Sequence, residues 1–317
     1  MIGDHGHFVW YELLTTDIVA AEAFYHQVLG WDAQDASTAK FAYRMLTSDG
    51  APVGGLMALP PEGLQRGAAP RWVGYVAVDD LDARMGRLKA LGGTIYVPPT
   101  NSNIGRIAII ADPQTATLAL VQGLTIDVQP GGRDRIGRVG WHELLAAEWR
   151  QAFAFYEGVL GWQKAASDEG LAPVDGYQLF AAGPDTLGGM FTKLPHAPFP
   201  FWLYYFNVAD LTVALQRVTS HGGRVVQGPI ELPDGVWIAR CIDPQGAMFA
   251  LQGKRLEGRS DKVALEIGWS AEWGGFASRG RILSKSDASK AGSPPARRKP
   301  AATAKATPPR KPTPPKR

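Results

Sequence analysis

Cysteine is nearly absent from this 317-residue chain. The single one, Cys241, cannot form an intramolecular disulfide, and no Cys/His group has the spacing of a structural zinc site. A disulfide-built fold is excluded. No run approaches the roughly 18 apolar residues that a membrane span needs, and the opening MIGDHGHFVWYELLTTD has neither part of a secretory signal. A cytoplasmic protein without membrane partners is expected. Walker, dinucleotide-binding and serine-elbow patterns are missing too, since glycine-rich GPDTLGGM lacks their spacing. Cys241 lies in the alternating strand VWIARCI and reads as a small core residue. At roughly 100–200 residues per domain, the length predicts two domains.

The net charge of +3 is small only as a total. From residue 277 onward there are 12 Lys/Arg against the single acid Asp287, so the first 276 residues carry −8. An acidic body is joined to a basic tail, which predicts two parts that behave separately.

An internal repeat organises the body. WYELLTTDIVAAEAFYHQVLGW, Trp10 to Trp31, aligns without a gap with WHELLAAEWRQAFAFYEGVLGW, Trp141 to Trp162. VGGLMALP then matches LGGMFTKLP, and ADPQ before LVQG matches IDPQ before ALQG. In each copy the period switches between 2 and 3.6. His7 to Leu14 reads as a strand, and Asp17 caps a helix in which Ala20, Phe24 and Val28 recur until Gly30. Three strands follow, near residues 31–36, 41–47 and 53–59. The same order returns with Trp72 to Val78, a helix from Leu81 to the Gly92-Gly93 stop, and strands at 94–97, 106–111 and 117–122. The expectation is an α+β protein of four βαβββ units: domain 1 over 1–127, a linker over 128–137 and domain 2 over 138–254.

These motifs resemble the vicinal oxygen chelate superfamily of glyoxalases, bleomycin resistance proteins and extradiol dioxygenases. The resemblance rests on Asp17, Phe24-Tyr25 and Val28-Leu29-Gly30-Trp31, on their copy Phe155-Tyr156 and Val159-Leu160-Gly161-Trp162, on the paired glycines and on Asp-Pro-Gln before each last strand. It implies curved, partly closed mixed sheets with helices outside and a ligand cavity in each domain. It also implies metal ligands of His/Glu type on first and last strands. Those positions fall on Trp10, Val73 and Ala119, and on Trp141, Leu203 and Ala250, none of which can ligate. The expectation is therefore no cofactor and no metal site, with Zn, Ni or Fe as the alternative.

Inward alternation from those positions brings Trp10 and Glu12 beside Tyr75 in domain 1. In domain 2 it brings Trp141 and Glu143 beside Tyr205 and Asn207. An aromatic surface with a few polar groups suits a small molecule. Glu12 and Glu143 are the candidate catalytic groups, because a carboxylate walled by aromatics has a raised pKa; the other reading is a structural acid bonded to tyrosine or indole. His142 alternates away from Trp141 and reads as a surface or interface residue. Trp72 and Trp202 are read either as core or as ligand-stacking groups. Gly54-Gly55 and Gly188-Gly189 mark a bulge or a close ligand approach.

The leading functional reading is a protein that binds a small, partly aromatic molecule in metal-free cavities, as in resistance or sequestration. The alternatives are a glyoxalase-like lyase or dioxygenase-type enzyme with a displaced metal site on Glu12, Glu143 or His142, and a module tethered to polyanions. Either a monomer with an internal pseudo-dimer or a homodimer fits the repeat. Residues 255–283, with Trp269, Trp273 and Phe276, are apolar enough to be expected to dock on the body. Residues 284–317 carry eight Pro and no aromatic or large aliphatic residue, so a disordered tail of polyproline character is expected. The tail is read either as a nucleic-acid or polyanion contact or as a solvated appendage. Titrating DNA binding with salt, for the full chain and for a chain ending at Leu283, separates them: the contact reading expects affinity that falls with salt and disappears with the tail.

Overall fold

The computed structural model describes residues 4–39, 41–65, 67–126, 134–165, 176–194, 197 and 199–255. The expected basic tail, and all of the expected extension but Arg255, lie outside them. Among the described residues no helix is long and apolar enough to cross a membrane.

The first copy runs β1 (Phe8–Thr15), α1 (Ile18–Leu29), β2 (Asp32–Asp35), β3 (Tyr43–Ser48), β4 (Ala51–Ala58), α2 (Pro61–Gln65), β5 (Arg71–Ala77), α3 (Leu81–Ala90), β6 (Thr94–Ser102), β7 (Gly105–Ala111) and β8 (Thr117–Gln122). The second runs β9 (Val139–Ala146), α4 (Trp149–Leu160), β10 (Gln163–Lys164), β11 (Tyr177–Ala182), β12 (Asp185–Thr192), β13 (Phe201–Val208), α5 (Leu211–Ser220), β14 (Arg224–Glu231), β15 (Trp237–Ile242) and β16 (Met248–Gly253). Short α2 is the one helix of the first copy that the periodicity does not anticipate, and β6 extends five residues past the expected Val97. Helix ends follow local chemistry. Asp17 accepts from the Ala20 amide at 3.0 Å, and Gly30 closes α1 at φ 72°, where a side chain would be strained.

Each domain forms one eight-stranded mixed sheet, ordered β2-β3-β4-β1-β5-β8-β7-β6 and β10-β11-β12-β9-β13-β16-β15-β14. β1 runs antiparallel to β5 and β9 to β13, joining the first strands of the two units. The end strands of each sheet do not pair, so neither sheet closes. This is the expected α+β architecture of two tandem domains with two βαβββ units each.

A β-bulge lies at the same place in both copies: the register of β1 against β5 skips Val9, and that of β9 against β13 skips Gly140. The slip turns Phe8 onto the face shared by Tyr11 and Leu13, leaving Trp10 and Glu12 on the other.

The helix-covered faces of the two sheets share one core. Tyr25, Trp31 and Trp72 pack there with Tyr156, Trp162, Trp202 and Phe206. Trp72 donates to the Tyr25 hydroxyl at 2.9 Å, which donates to Asp243 of the other domain at 3.1 Å. The copy repeats this: Trp202 donates to Tyr156 at 3.0 Å, and Tyr156 to Asp112 at 3.2 Å. Trp72 and Trp202 are thus core residues, not ligand-stacking ones. Trp31 and Trp162 also cross the interface, donating to the Gly137 and Gly6 carbonyls at 2.9 and 2.7 Å.

Near the pseudo-twofold axis a residue meets its own copy. Tyr11 and His142 occupy equivalent positions and are joined at 2.7 Å, hydroxyl to Nε2. The other ring nitrogen, Nδ1, lies 2.7 Å from the Leu187 carbonyl and must donate to it, so in the neutral ring Nε2 accepts from Tyr11. His142 is buried, and Phe8 stacks on it at 3.9 Å, as an interface residue. Gly74 and Tyr204 are equivalent too; the Tyr204 hydroxyl accepts from the Gly74 amide at 2.7 Å, and a Cβ on Gly74 would sit 2.8 Å from that ring.

Burial pushes the Asp112 and Asp243 carboxyls above the ordinary carboxylate range, opposed by hydrogen bonds from the turn amides and a tyrosine. Asp243→Ala leaves the Tyr25 hydroxyl proton and two turn amides without an acceptor. It is expected to cost about 1–3 kcal/mol in urea unfolding, with Tyr25→Phe costing about 1 kcal/mol.

Candidate functional site

On the face of each sheet away from the helices lies a second, smaller apolar cluster. In domain 1 it contains Trp10, Val73, Tyr75, Ile104, Ala119 and Val121, and in domain 2 Leu145, Phe191, Leu203, Tyr205 and Ala250. Glu12 and Glu143 sit on these faces, each 4 % exposed.

In domain 1 the Tyr43 hydroxyl donates to Glu12 Oε1 at 2.7 Å, and the Tyr75 hydroxyl donates to Oε2. The Trp10 indole N–H donates to Tyr43 at 3.2 Å, so indole, phenol and carboxylate form a relay. In domain 2 Tyr177 and Tyr205 donate to Glu143 at 3.0 and 2.5 Å, and Trp141 donates to Tyr177 at 3.0 Å. The sequence-predicted Trp10, Glu12 and Tyr75 are thus brought together, as are Trp141, Glu143 and Tyr205. Asn207 lies at the end of β13, where its amide donates to the Arg135 carbonyl at 3.0 Å and accepts from Gln252 at 2.8 Å.

Tyr43 and Tyr177 escaped sequence reasoning. Their signal is the glycine pair. A Cβ on Gly55 would lie 2.1 Å from the Tyr43 hydroxyl, and one on Gly189 2.1 Å from the Tyr177 ring, so glycine is what lets each tyrosine cross β4 or β12 to the carboxylate. The expected bulge is also present, where the register of β3 against β4 shifts between Leu46 and Thr47.

The copies differ in one charged group. Arg240 on β15 is buried and donates to Glu143 Oε2 at 2.7 Å, to Tyr205 at 3.2 Å and to Gln227 at 2.9 Å. Burial alone would pull its pKa down; Tyr205 and Glu143 beside it hold it above the ordinary arginine value. The position opposite Ala119 that corresponds to Arg240 opposite Ala250 is Ile109. Glu12 therefore has no ion-pair partner among the described residues, and burial pushes its pKa up against the hydrogen bonds from Tyr43 and Tyr75. Burial, with Glu12 close by, likewise raises both tyrosines. Alternation in VWIARCI places Arg240 opposite Cys241 and on the Glu143 side, a signal that was readable. Cys241 is fully buried on the helix side, and burial pushes its thiol up.

The positions to which the family resemblance assigns metal ligands do not fit a metal. Trp10 and Trp141 offer only N–H donors, while Val73, Leu203, Ala119 and Ala250 offer carbon. Among the described residues no group of three or more His, Cys, Asp or Glu could hold an ion. His142 faces the interdomain core, with both ring nitrogens engaged, and is unsuited to a displaced site.

A model of the Glyoxalase/Bleomycin resistance protein/Dioxygenase superfamily matches residues 6–120 and again 136–251. The Mycobacterium bovis protein CFP32, named as a glyoxylase, is 32% identical over 251 residues, covering 76% of this chain and 92% of its own. The anthracycline biosynthesis protein DauV of Streptomyces sp. strain C5 is 32% identical over 264 residues, covering 76% and 91%. Among solved structures, the Mn(II)-bound glyoxalase from Novosphingobium aromaticivorans aligns with a TM-score of 0.57 over 81% of this chain and 85% of its own, at 14% identity. The 2,3-dioxygenase LapB from Pseudomonas sp. KL28 aligns with a TM-score of 0.53 over 79% and 93%, at 13% identity. At such identities the structural likeness shows the fold.

A carboxyl whose folded pKa exceeds its ordinary 4.5 holds a proton in the folded chain that the unfolded chain has released. Glu12 therefore contributes most to stability below 4.5, and that contribution is lost as pH rises through its folded value. The stability of wild type relative to Glu12→Gln, from urea unfolding at a series of pH values, is expected to fall with rising pH across this window.

Proposed function

Because this chain belongs to the Glyoxalase/Bleomycin resistance protein/Dioxygenase superfamily, we propose that its two glutamate faces bind a small, partly aromatic molecule without a resident metal, in a sequestering role. One observation carries the reading: on each face the polar centre is a carboxylate bracketed by two tyrosine hydroxyls, where the family's ligand positions hold tryptophan, aliphatic residues and alanine. Such a face offers aromatic and aliphatic contact together with one strong hydrogen-bond acceptor. Trp10 and Trp141 pack against the ligand, Glu12 and Glu143 accept from its N–H or O–H groups, and the tyrosines hold each carboxylate in place. The likeness to a protein named for anthracycline biosynthesis agrees in kind, since anthracyclines are fused-ring aromatics.

A second reading, an enzyme, is favoured by Glu12 itself. A buried carboxyl with no counter-cation among the described residues and with a raised pKa is suited to proton transfer. The relative named as a glyoxylase points the same way, but a metal-dependent reaction would need donors other than those on these faces. In either reading the basic tail from residue 284 adds a polyanion contact.

A thermal-shift panel of planar aromatic compounds, run with EDTA and with added Mn, Zn, Ni or Fe, tests the sequestering reading. Stabilisation by an aromatic compound is expected to be the same with and without metal, and to be lost when Glu12→Gln and Glu143→Gln are combined. Stoichiometric metal in purified protein that disappears in Glu12→Ala or Glu143→Ala would overturn it.

A further inference from the structure

The two faces are copies in backbone but not in charge, and the differences are grouped. Opposite Glu143, domain 2 places Arg240 with Gln227 bonded to it and Phe191 beneath it, the guanidinium carbon 5.6 Å from the ring centre. The equivalent positions in domain 1 are Ile109, Val97 and Met57, by the register of Ile109 with Val97 and Ala119 and of Met57 with Leu14. Three positions around one carboxylate are polar or aromatic in one copy and aliphatic in the other.

The acceptor sites on the carboxylates differ accordingly. Glu143 Oε2 accepts two donors, Tyr205 and Arg240, which uses both of its lone pairs. Among the described residues Glu12 Oε2 accepts from Tyr75, and the other donors to this carboxylate, Tyr43 and Trp10, are likewise neutral. Among the described residues no cation fills in domain 1 the place that the guanidinium takes in domain 2, and the carboxylate there is 4 % exposed. Buried charge is costly unless it is paired, and in domain 1 no described residue supplies a cationic partner.

We propose that domain 1 takes a ligand carrying a cationic nitrogen, an aromatic ammonium, amidinium or guanidinium, seated on Glu12 where Arg240 sits on Glu143. Domain 2, which carries its own cation, takes an uncharged ligand. The inference rests on the small-molecule reading of these faces and divides it between the domains. The ligand cation forms a charge-assisted hydrogen bond with Oε2, while Tyr43 and Tyr75 keep the carboxylate fixed. Trp10 and the aliphatic Ile109, Val97 and Met57 border the rest of the molecule.

Calorimetric titration of the full chain with benzylguanidinium, benzyl alcohol and phenylacetate tests this. Benzylguanidinium is expected to bind once per chain, about tenfold or more tightly than benzyl alcohol, the size of one hydrogen bond to a charged group. Ile109→Arg supplies domain 1 with its own cation and should abolish that binding, while Ile109→Met, similar in bulk and uncharged, should keep it. Arg240→Ile should raise the stoichiometry to two. If that variant does not fold, as judged by circular dichroism, the two Ile109 variants decide alone. Equal affinity for benzyl alcohol, or benzylguanidinium binding undiminished by Ile109→Arg, would overturn the division while leaving small-molecule binding intact. If none of the three probes binds, both this inference and the reading beneath it fall.

Discussion

A residue close to a twofold axis packs against its own copy, and this constraint organises the centre of the molecule. Two identical large side chains facing each other there would clash or leave a void, and protein interiors tolerate neither well. With both copies encoded in one chain, equivalent positions are free to become complementary. Tyr11 against His142 turns a self-contact into a directed hydrogen bond, and Gly74 against Tyr204 turns one into a ring laid on a bare backbone. Away from the axis each contact occurs twice between different partners, and there the copies stay alike: Tyr25 with Asp243, Tyr156 with Asp112.

The same freedom extends to the outer faces. Both copies keep the apparatus that immobilises a carboxylate: a tryptophan, two tyrosines and a glycine that lets one tyrosine cross a strand. They differ in how its charge is met. In domain 2 a buried arginine neutralises it within the chain. In domain 1 the position of that arginine is aliphatic, and among the described residues only neutral donors oppose the desolvation of the carboxyl. One scaffold thereby carries two electrostatic environments.

Much of this was legible in the residues. Hydrophobic period and the turn residues gave the order of the units, and the gapless match of Trp10–Trp31 with Trp141–Trp162 revealed the duplication. Alternation from Trp10 and from Val73 puts Glu12 and Tyr75 on one face, where they meet. The bulge at Val9 lies N-terminal to Trp10, so it flips Phe8 without disturbing that count. Tyr43 and Tyr177 leave little trace in the sequence because each reaches its glutamate across an intervening strand, β4 or β12, and a phenol can cross only where a neighbour is glycine. The assignment of Trp72 and Trp202 turned on which side of each sheet meets the other domain, which periodicity alone cannot tell. The Asp-Pro-Gln motifs mark the turns before the last strands, but the second oxygen of Asp112 and of Asp243, which binds the opposite domain, leaves no local trace.

The tyrosine–aspartate bridges also bear on how the chain comes apart. Each aspartate shapes a turn in its own domain while holding a tyrosine from the other's first helix, so neither copy can complete its own interior. Local unfolding of one domain strips buried partners from the other, making the two domains one cooperative unit. Half-length fragments, each holding one copy, would meet as complementary subunits, one contributing Tyr11 and the other His142. Because those centres are matched to each other rather than to themselves, such fragments would favour reassembling the original pair over forming homodimers.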